Sequence, residues 1–248
     1  MNLSLSLSLG ASRPSGGAPT PTSQKVALAA NGASIAIYDW TNPGSMTAGD
    51  GGVCVQGAGD TIASVPNYKA PGTPVLQQSS ATRRPIYDNG AVGDGTDDYL
   101  FAVFAGGAAG ANVTLVYILK TTDVDFMIGG TNSASCFAGT AGSGSALSPH
   151  TGTGSPVYRV GGSNLSAPTR NGLFVAWATG SAVVAGITGA DYSNVAVTRL
   201  QNAYMTTGNY VTGRAMLVAI LDGGHVDYAA ALALAEAEAS YQIAALAL

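Results

Sequence analysis

Three aspartates, Asp94, Asp97 and Asp98, fall within five consecutive residues, in a segment where Gly93 and Gly95 favour a turn. Carboxylate oxygens are hard ligands of the kind that calcium prefers, so a calcium site is one interpretation. The segment lacks the full alternating ligand pattern of a calcium loop, and the same carboxylates can accept hydrogen bonds from turn amides. We therefore expect turn acceptors and no cofactor, with bound calcium as the alternative.

The residues that could perform hydrolysis do not form a recognisable set. The only glutamates, Glu236 and Glu238, are two apart in a helical pattern and so point to different sides of the helix. Glycoside hydrolysis needs two carboxyl groups set about 5 to 10 Å apart. His150 and His225 are the only histidines, and no Gly-x-Ser-x-Gly elbow places a serine near them. The sequence therefore predicts a protein that is not an enzyme.

Aromatic side chains are the candidates for carbohydrate binding, because sugar rings pack against aromatic faces with a few polar anchors nearby. Tyr158 lies in a segment rich in Gly, Ser, Thr and Pro, residues 139–162, which is predicted to be a long loop, and such loops often carry recognition. Trp177 lies in an apolar run that is also a plausible core strand. The candidate carbohydrate-binding residues are Trp40, His150, Tyr158, Trp177 and Tyr192.

Short apolar segments separated by turn signals predict the elements that would position these side chains. The chain has 34 glycines, many of them in pairs, as expected where many turns join short strands. Helical patterns between the segments, which a parallel α/β fold requires, are missing. The sequence therefore predicts an antiparallel sandwich or jelly roll. The predicted strands are 34–38, 52–55, 100–104, 113–120, 126–128, 157–160, 173–178, 195–200 and 215–221.

The end of the chain predicts an α-helix over residues 227–247. Asp227 stands at the N-cap position, and alanine, the best helix former, fills much of the segment. Apolar residues recur at steps of three and four, so one face should pack on the sandwich or on a neighbouring molecule. They are Tyr228, Leu232, Ala235, Ala239, Ile243 and Leu246.

The start of the chain predicts an attachment segment, residues 1–25, ahead of a body at 26–248. Leucines at positions 3, 5, 7 and 9 alternate with serines, which places them on one face of an extended strand. Residues 12–22 have the composition of a linker. The strand either docks away from the body or forms an edge strand of the sandwich. No basic residue precedes a continuous apolar block, so no secretory signal is expected.

Composition excludes several classes of partner. Hydrophobic residues make up 46% of the chain and charged residues 10%, and the net charge is −4 with no basic stripe, so nucleic acid is not expected as a ligand. No apolar run approaches the roughly 18 residues that a membrane span needs. Cys54 and Cys136 are expected to be free thiols buried as small hydrophobes, with a disulfide as the alternative.

Two segments resemble a motif of phage and bacterial proteins with a concanavalin A-like lectin/glucanase, or laminin G-like, fold. They are residues 84–87 (Arg-Pro-Ile-Tyr) and residues 93–100 (Gly-Asp-Gly-Thr-Asp-Asp-Tyr-Leu). In that family an Arg-Pro step leads to a Phe-Asp-Gly-x-Asp-Asp-Tyr-Leu segment that enters a core strand. Gly93 departs from the motif by replacing the phenylalanine. The resemblance extends more weakly to residues 39–43 and to residues 217–221, which lead into the terminal helix.

The resemblance implies an all-β, antiparallel jelly-roll β-sandwich with a C-terminal α-helix and an extended N-terminal segment. It further implies a virion protein, assembled in the bacterial host cytoplasm as part of a tail tip, a fibre or a head spike. Such a protein would contact other virion proteins through its N-terminal segment, form a homo-oligomer and bind a host-surface glycan. The alternatives are a polysaccharide depolymerase of the virion and a capsid-decoration protein without a ligand.

Overall fold

The described part of the chain folds mostly into antiparallel β-sheet, with three α-helices that include a C-terminal one. In this computed structural model the described residues are 22–49, 55, 57–70, 75–94, 97–98, 100–103, 110–122, 127–129, 136–140, 144–150, 154–193, 197–200 and 214–245. The helices are α1 (Ser23–Ala30), α2 (Arg170–Trp177) and α3 (Tyr228–Ala245).

The described strands are numbered in chain order. The first seven are β1 (Ser34–Asp39), β2 (Thr47–Ala48), β3 (Ile62–Val65), β4 (Leu76–Gln77), β5 (Ile86–Tyr87), β6 (Ala91–Val92) and β7 (Leu100–Val103). The others are β8 (Val113–Lys120), β9 (Met127–Gly129), β10 (Cys136–Gly139), β11 (Gly154–Val160), β12 (Ser163–Asn164), β13 (Val183–Ala190), β14 (Val197–Leu200) and β15 (Arg214–Asp222).

These strands form two sheets. Sheet A has the order β12-β11-β13-β8-β15-β6-β5, and β1 also pairs with β15. Sheet B has the order β10-β9-β14-β7-β4-β3-β2. The two sheets share one hydrophobic core, to which Leu115 and Val218 of sheet A and Ile62, Leu76 and Leu100 of sheet B contribute. This arrangement is consistent with a β-sandwich.

A second core lies on the other face of sheet A, under α1 and α3. Val116 and Ala219 of the sheet pack there with Leu28 of α1 and Ala235 of α3. Because sheet A has a core on each face, residues 113–119 of β8 are buried without interruption. A continuous apolar run is typical of a strand covered on both sides, and the predicted strand 113–120 is confirmed.

Helix α1 was not predicted, and it runs across the expected boundary between residues 25 and 26. The hydroxyl of Thr22 accepts a hydrogen bond from the Lys25 amide at 3.0 Å, which satisfies a free donor of the first turn. At the other end, the amide of Asn31 donates to the carbonyl of Leu28 at 3.2 Å. Except for Thr22, the predicted linker at 12–22 lies outside the described residues.

The prediction of a strand at 173–178 is wrong, because residues 170–177 form helix α2. The hydroxyl of Thr169 caps this helix by accepting from the Gly172 amide at 3.1 Å. Leu173 and Trp177, four residues apart, are its buried side chains. The run of six apolar residues was too short for its periodicity to distinguish a helix from a strand. The helix cap at Thr169 was the sequence signal that could have indicated a helix.

The predicted C-terminal helix is confirmed as α3, and residues 246–248 lie outside the described part of the chain. The carbonyl of Asp227 accepts from the Ala231 amide at 3.0 Å, where the helix begins. The buried face is shifted from the predicted one and includes two polar residues, Glu238 and Gln242. Within the described ranges, no helix has both the length and the hydropathy that a membrane crossing requires.

Candidate binding site

A cavity of about 530 Å³ opens at the edge of sheet A, beside β11. Its walls come from three segments, residues 146–150, 154–158 and 165–169. The volume is within the range of small-molecule sites, roughly 300 to 1,000 Å³. The residues that line the cavity come from the segment 139–162 and from the residues just after it. This segment was predicted to be a loop, but it contains strand β11 toward its end.

The first wall is a loop that the N-terminus of α2 holds in place. The amide of Arg170 donates to the Leu147 carbonyl at 2.9 Å, and the Asn171 amide donates to the Ser145 carbonyl at 3.3 Å. The guanidinium of Arg170 also donates to the Ser148 carbonyl, at 3.1 Å. The first amides of a helix have no partner within it, so the loop supplies the acceptors that these amides need.

The second wall is the outer edge of β11. Pro156 stands in this edge and has no amide hydrogen, so it cannot donate to a neighbouring strand. Gly154 begins the strand at φ +97, a conformation that side chains disfavour, and a Cβ there would lie 3.2 Å from the Gly189 carbonyl oxygen. The Leu165 amide donates to the Tyr158 carbonyl at 2.8 Å and thereby fixes the third wall.

Tyr158 lines the cavity on the side of the core and is only 3% exposed. Its ring packs edge to face against Trp177, with ring centroids 6.1 Å apart and an interplanar angle of 67°. The indole N–H of Trp177 donates to the carbonyl of Arg159 at 3.0 Å. Trp177 therefore supports Tyr158 from the core side, because it contacts the Tyr158 ring and also binds the strand β11 that carries this residue.

The polar groups of the cavity are neutral hydroxyls and one imidazole. Ser148, Ser155, Thr169 and His150 line it, and none of its described lining residues is Asp, Glu, Lys or Arg. Ser148 and Thr169 already accept hydrogen bonds from backbone amides, so each still has its own hydroxyl hydrogen to donate. Such a cavity offers hydrogen bonds to a ligand without offering it a carboxylate or a fixed positive charge.

The structure brings together two of the predicted carbohydrate-binding residues, His150 and Tyr158. The other three, Trp40, Trp177 and Tyr192, are fully buried in the core between the sheets, so they present no ring face to a ligand. Sequence reasoning missed the prolines of the walls, Pro149, Pro156 and Pro168. Three prolines between residues 149 and 168 were the available signal, because proline favours rigid turns and strand edges.

The three aspartates of the predicted turn do lie close together, with ligand oxygens within 4.8 Å of one another. The Asp94 amide donates to the Asp98 carboxylate at 3.1 Å, and the Asp97 amide donates to Asp94 at 3.2 Å. These are the hydrogen bonds that a turn role predicts. The Arg83 guanidinium lies 3.5 Å from the Asp97 carboxylate. Bound calcium stays the alternative.

The pKa of Asp98 is raised to about 6. Burial is the main cause, because removal from water disfavours the charged form, and the negative charge of Asp94 adds to it. The hydrogen bond from the Asp94 amide acts in the opposite direction, since it stabilises the carboxylate. Between about pH 4 and pH 6 this carboxyl therefore holds a proton that an exposed aspartate would have lost.

The two glutamates point to different sides of α3, as predicted. Glu236 accepts from the Arg159 guanidinium at 2.8 Å, which links α3 to β11. Glu238 is fully buried and accepts from the Thr22 hydroxyl and, at 2.7 Å, from the Gln242 amide. The pairing of Cys136 with Cys54 stays untested, because Cys54 and the side chain of Cys136 lie outside the described structure.

No protein-family model, no curated protein and no solved structure matches the chain. The antiparallel sheets, the helices over sheet A and the cavity beside β11 are therefore the observations that bear on its function.

Proposed function

We propose that the chain is a binding module that holds a neutral saccharide unit of a host-surface glycan in the cavity beside β11. The observation that carries the proposal is a cavity of about 530 Å³ that is lined by apolar side chains, prolines and hydroxyls, with no charged residue among its described lining. A sugar ring has an apolar face and a belt of hydroxyls. Leu147, Val157 and the wall prolines suit the apolar face, while Ser148, Ser155 and Thr169 suit the hydroxyls.

The finer fold assignment, a concanavalin A-like jelly roll, belongs to the same proposal. It is supported by the structural role of Arg84 and Pro85, the Arg-Pro step of the motif that resembles the family. The guanidinium of Arg84 donates to the carbonyls of Gln78 at 2.9 Å, Gly49 at 2.8 Å and Ser79 at 3.2 Å. Pro85 is buried, and Leu100 opens β7 inside the core. These motif residues hold strands in place and leave ligand binding to the cavity.

The virion context is the last part of the proposal, and the resemblance of residues 84–100 supports it. A display role in a tail tip, a fibre or a head spike needs a rigid binding module and a means of attachment. The fixed cavity would serve the first need. Attachment to other virion proteins through residues 1–25, and assembly into a homo-oligomer, stay predictions.

Titration calorimetry of the full chain with a panel of neutral oligosaccharides, and with acidic ones for comparison, tests the binding function. Ser155→Trp would fill the cavity from an exposed strand position, and we expect it to weaken binding of the neutral probes at least tenfold. Gln77→Trp, also at an exposed strand position but in sheet B, is the matched control and should bind normally. The proposal fails if no neutral probe binds, or if Ser155→Trp binds as well as the control does.

A further inference from the structure

The outer face of the helix layer, formed by α1 and α3, carries no charged side chain. Every exposed residue of the two helices is Ala, Ser, Val or Tyr. Val26 and Tyr241 are 51% and 52% exposed, and alanines such as Ala229, Ala233 and Ala237 lie between the larger side chains. The outer face of a surface helix is normally charged, and a helix that is apolar all round is normally covered. The helix layer therefore has the composition of a covered surface.

Buried acceptors with unused capacity lie at one end of this face. Glu238 is 0% exposed, and its donors are the Thr22 hydroxyl and the Gln242 amide, although a carboxylate can accept about four hydrogen bonds. Gln242 is 7% exposed, and its Oε1 has no hydrogen-bond partner among the described residues. A buried acceptor without a donor costs about 1 to 3 kcal/mol. Further donors are therefore expected between α1 and α3.

These acceptors lie where the chain enters the described structure. Thr22 caps α1 and binds Glu238, so the described chain begins beside the helix layer. A segment tethered at that point has an effective concentration in the millimolar range. Its backbone amides are therefore candidate donors to Gln242 that require no second molecule.

We propose that, in the chain before it attaches to other proteins, the N-terminal segment, residues 1–21, folds back over the helix layer of its own chain, with its leucines against the alanine face of α3. An extended strand from Leu3 to Leu9 is about 20 Å long. Helix α3, with 18 residues, is about 27 Å long, so the shorter strand fits along it. Glycines and prolines between residues 10 and 21 permit the necessary turn. The alternating serines then face water.

The neighbouring edge of sheet A is not open to this segment. Beyond β1, the Tyr68 amide donates to the Ile37 carbonyl at 2.8 Å, and Asn67 accepts from the Ile37 amide at 3.0 Å. Residues 67–69 therefore occupy the edge of β1 that an added strand would pair with. The helix layer is left as the nearby apolar surface that a segment with leucines on one face can cover.

Disulfide trapping tests the proposal directly. In a full chain with Cys54→Ser and Cys136→Ser, the pair Leu5→Cys with Ala233→Cys should form an intrachain disulfide at least tenfold faster than the control pair Leu5→Cys with Gln77→Cys. Disulfide-linked dimers would show that a second copy covers the face and would overturn the proposal. Equal rates for the two pairs would overturn it as well.

A second measurement does not depend on the cysteine background. Tyr241→Trp places an indole on the outer face of α3, and the native Trp40 and Trp177 are fully buried, so acrylamide quenching reports mainly the new indole. We expect quenching to rise at least twofold when Leu5→Ser and Leu7→Ser are added. Equal quenching with and without these two substitutions would contradict the proposal.

Discussion

The cavity beside β11 and the helix layer over sheet A both expose apolar side chains, but they differ in shape and in polar groups. Leu147 and Val157 line the cavity, whereas Val26 and Tyr241 stand on the helix layer. The cavity is concave and has hydroxyls inside it. The helix layer has one acceptor without a partner among the described residues, Gln242 Oε1, toward one end of α3. A concave surface with distributed polar groups suits a small ligand, and a surface poor in polar groups suits a length of chain.

The two regions are also held together differently. Backbone hydrogen bonds from α2 and Leu165 fix the walls of the cavity. A buried ion pair between Lys25 and Asp39 anchors the helix layer to sheet A, and the Lys25 ammonium also lies 4.4 Å from the ring centroid of Tyr68. Substitutions at these positions should therefore affect one region and leave the other unchanged.

The largest effect is expected from Lys25→Ala. It leaves the buried Asp39 carboxylate without its cation, which typically costs about 3 to 5 kcal/mol of unfolding free energy. Urea denaturation measures the loss, and saccharide binding by the folded fraction should not change. The double variant Lys25→Met with Asp39→Asn is the control and should recover much of the stability, because no buried charge remains. A loss below about 1 kcal/mol would show that the pair does not anchor the helix layer.

Trp177→Phe should affect the cavity and leave the helix layer intact. It removes the hydrogen bond from the indole to the Arg159 carbonyl, and a hydrogen bond of this kind typically contributes about 0.5 to 1.5 kcal/mol. Saccharide affinity should fall, because Tyr158 loses part of its support. Trp40→Phe is the matched control, since Trp40 is equally buried but its indole nitrogen has no hydrogen-bond partner among the described residues. Equal losses of affinity in both variants would contradict the supporting role.

A smaller effect, in neither region, is expected from Asp98. Its folded pKa of about 6 is higher than that of an unfolded aspartate, so the native state binds more protons between about pH 4 and pH 6. Stability should therefore fall as pH rises through this window, and Asp98→Asn should flatten the dependence. Thermal unfolding at a series of pH values measures it.

Calcium distinguishes the two interpretations of the aspartate cluster. If Asp94 and Asp98 serve as turn acceptors, replacing EDTA with excess calcium should leave the unfolding temperature of the unmodified chain unchanged. A rise that Asp98→Asn abolishes would contradict the turn role and favour a calcium site. Saccharide binding should not change in either case, because the cluster does not line the cavity.

Of the substitutions, the smallest effect is expected from Glu236→Gln, which removes the ion pair between α3 and Arg159 of β11. Partly exposed pairs contribute about 0 to 1 kcal/mol, so stability should change little. Saccharide affinity should stay within twofold. Asp97→Asn, which weakens the more exposed pair with Arg83, is the control. A large loss of affinity in Glu236→Gln alone would show that the helix layer and the cavity are coupled.

Strong periodic patterns made part of the fold predictable. The strands β8 and β15 and the helix α3 were predicted because each is long and apolar in a pattern that one conformation satisfies. Strand β13 was missed because Gly186 and Gly189 interrupt its apolar run. A Cβ at Gly186 would lie 3.1 Å from the Arg159 side chain, so glycine belongs to the packing of this strand. Such a requirement depends on a neighbouring strand that no local pattern reveals.

The candidate site could be predicted only in part. Composition marked the segment 139–162 as unusual, and His150 and Tyr158 from it do line the cavity. Trp40, Trp177 and Tyr192 carry the same chemistry, but the structure buries them in the core. An aromatic ring is equally suited to a core and to a binding site, so residue type alone could not separate the two roles.

The sequence by itself determined the antiparallel strands, the C-terminal helix and the scarcity of charge, because these follow from periodicity and composition over short distances. The tertiary structure decided that sheet A is covered on both faces, that α2 is a helix whose first amides hold a loop, and that this loop and β11 enclose a cavity. Those features depend on contacts between residues far apart in the chain. Such contacts exist only once the sheets and helices have packed together.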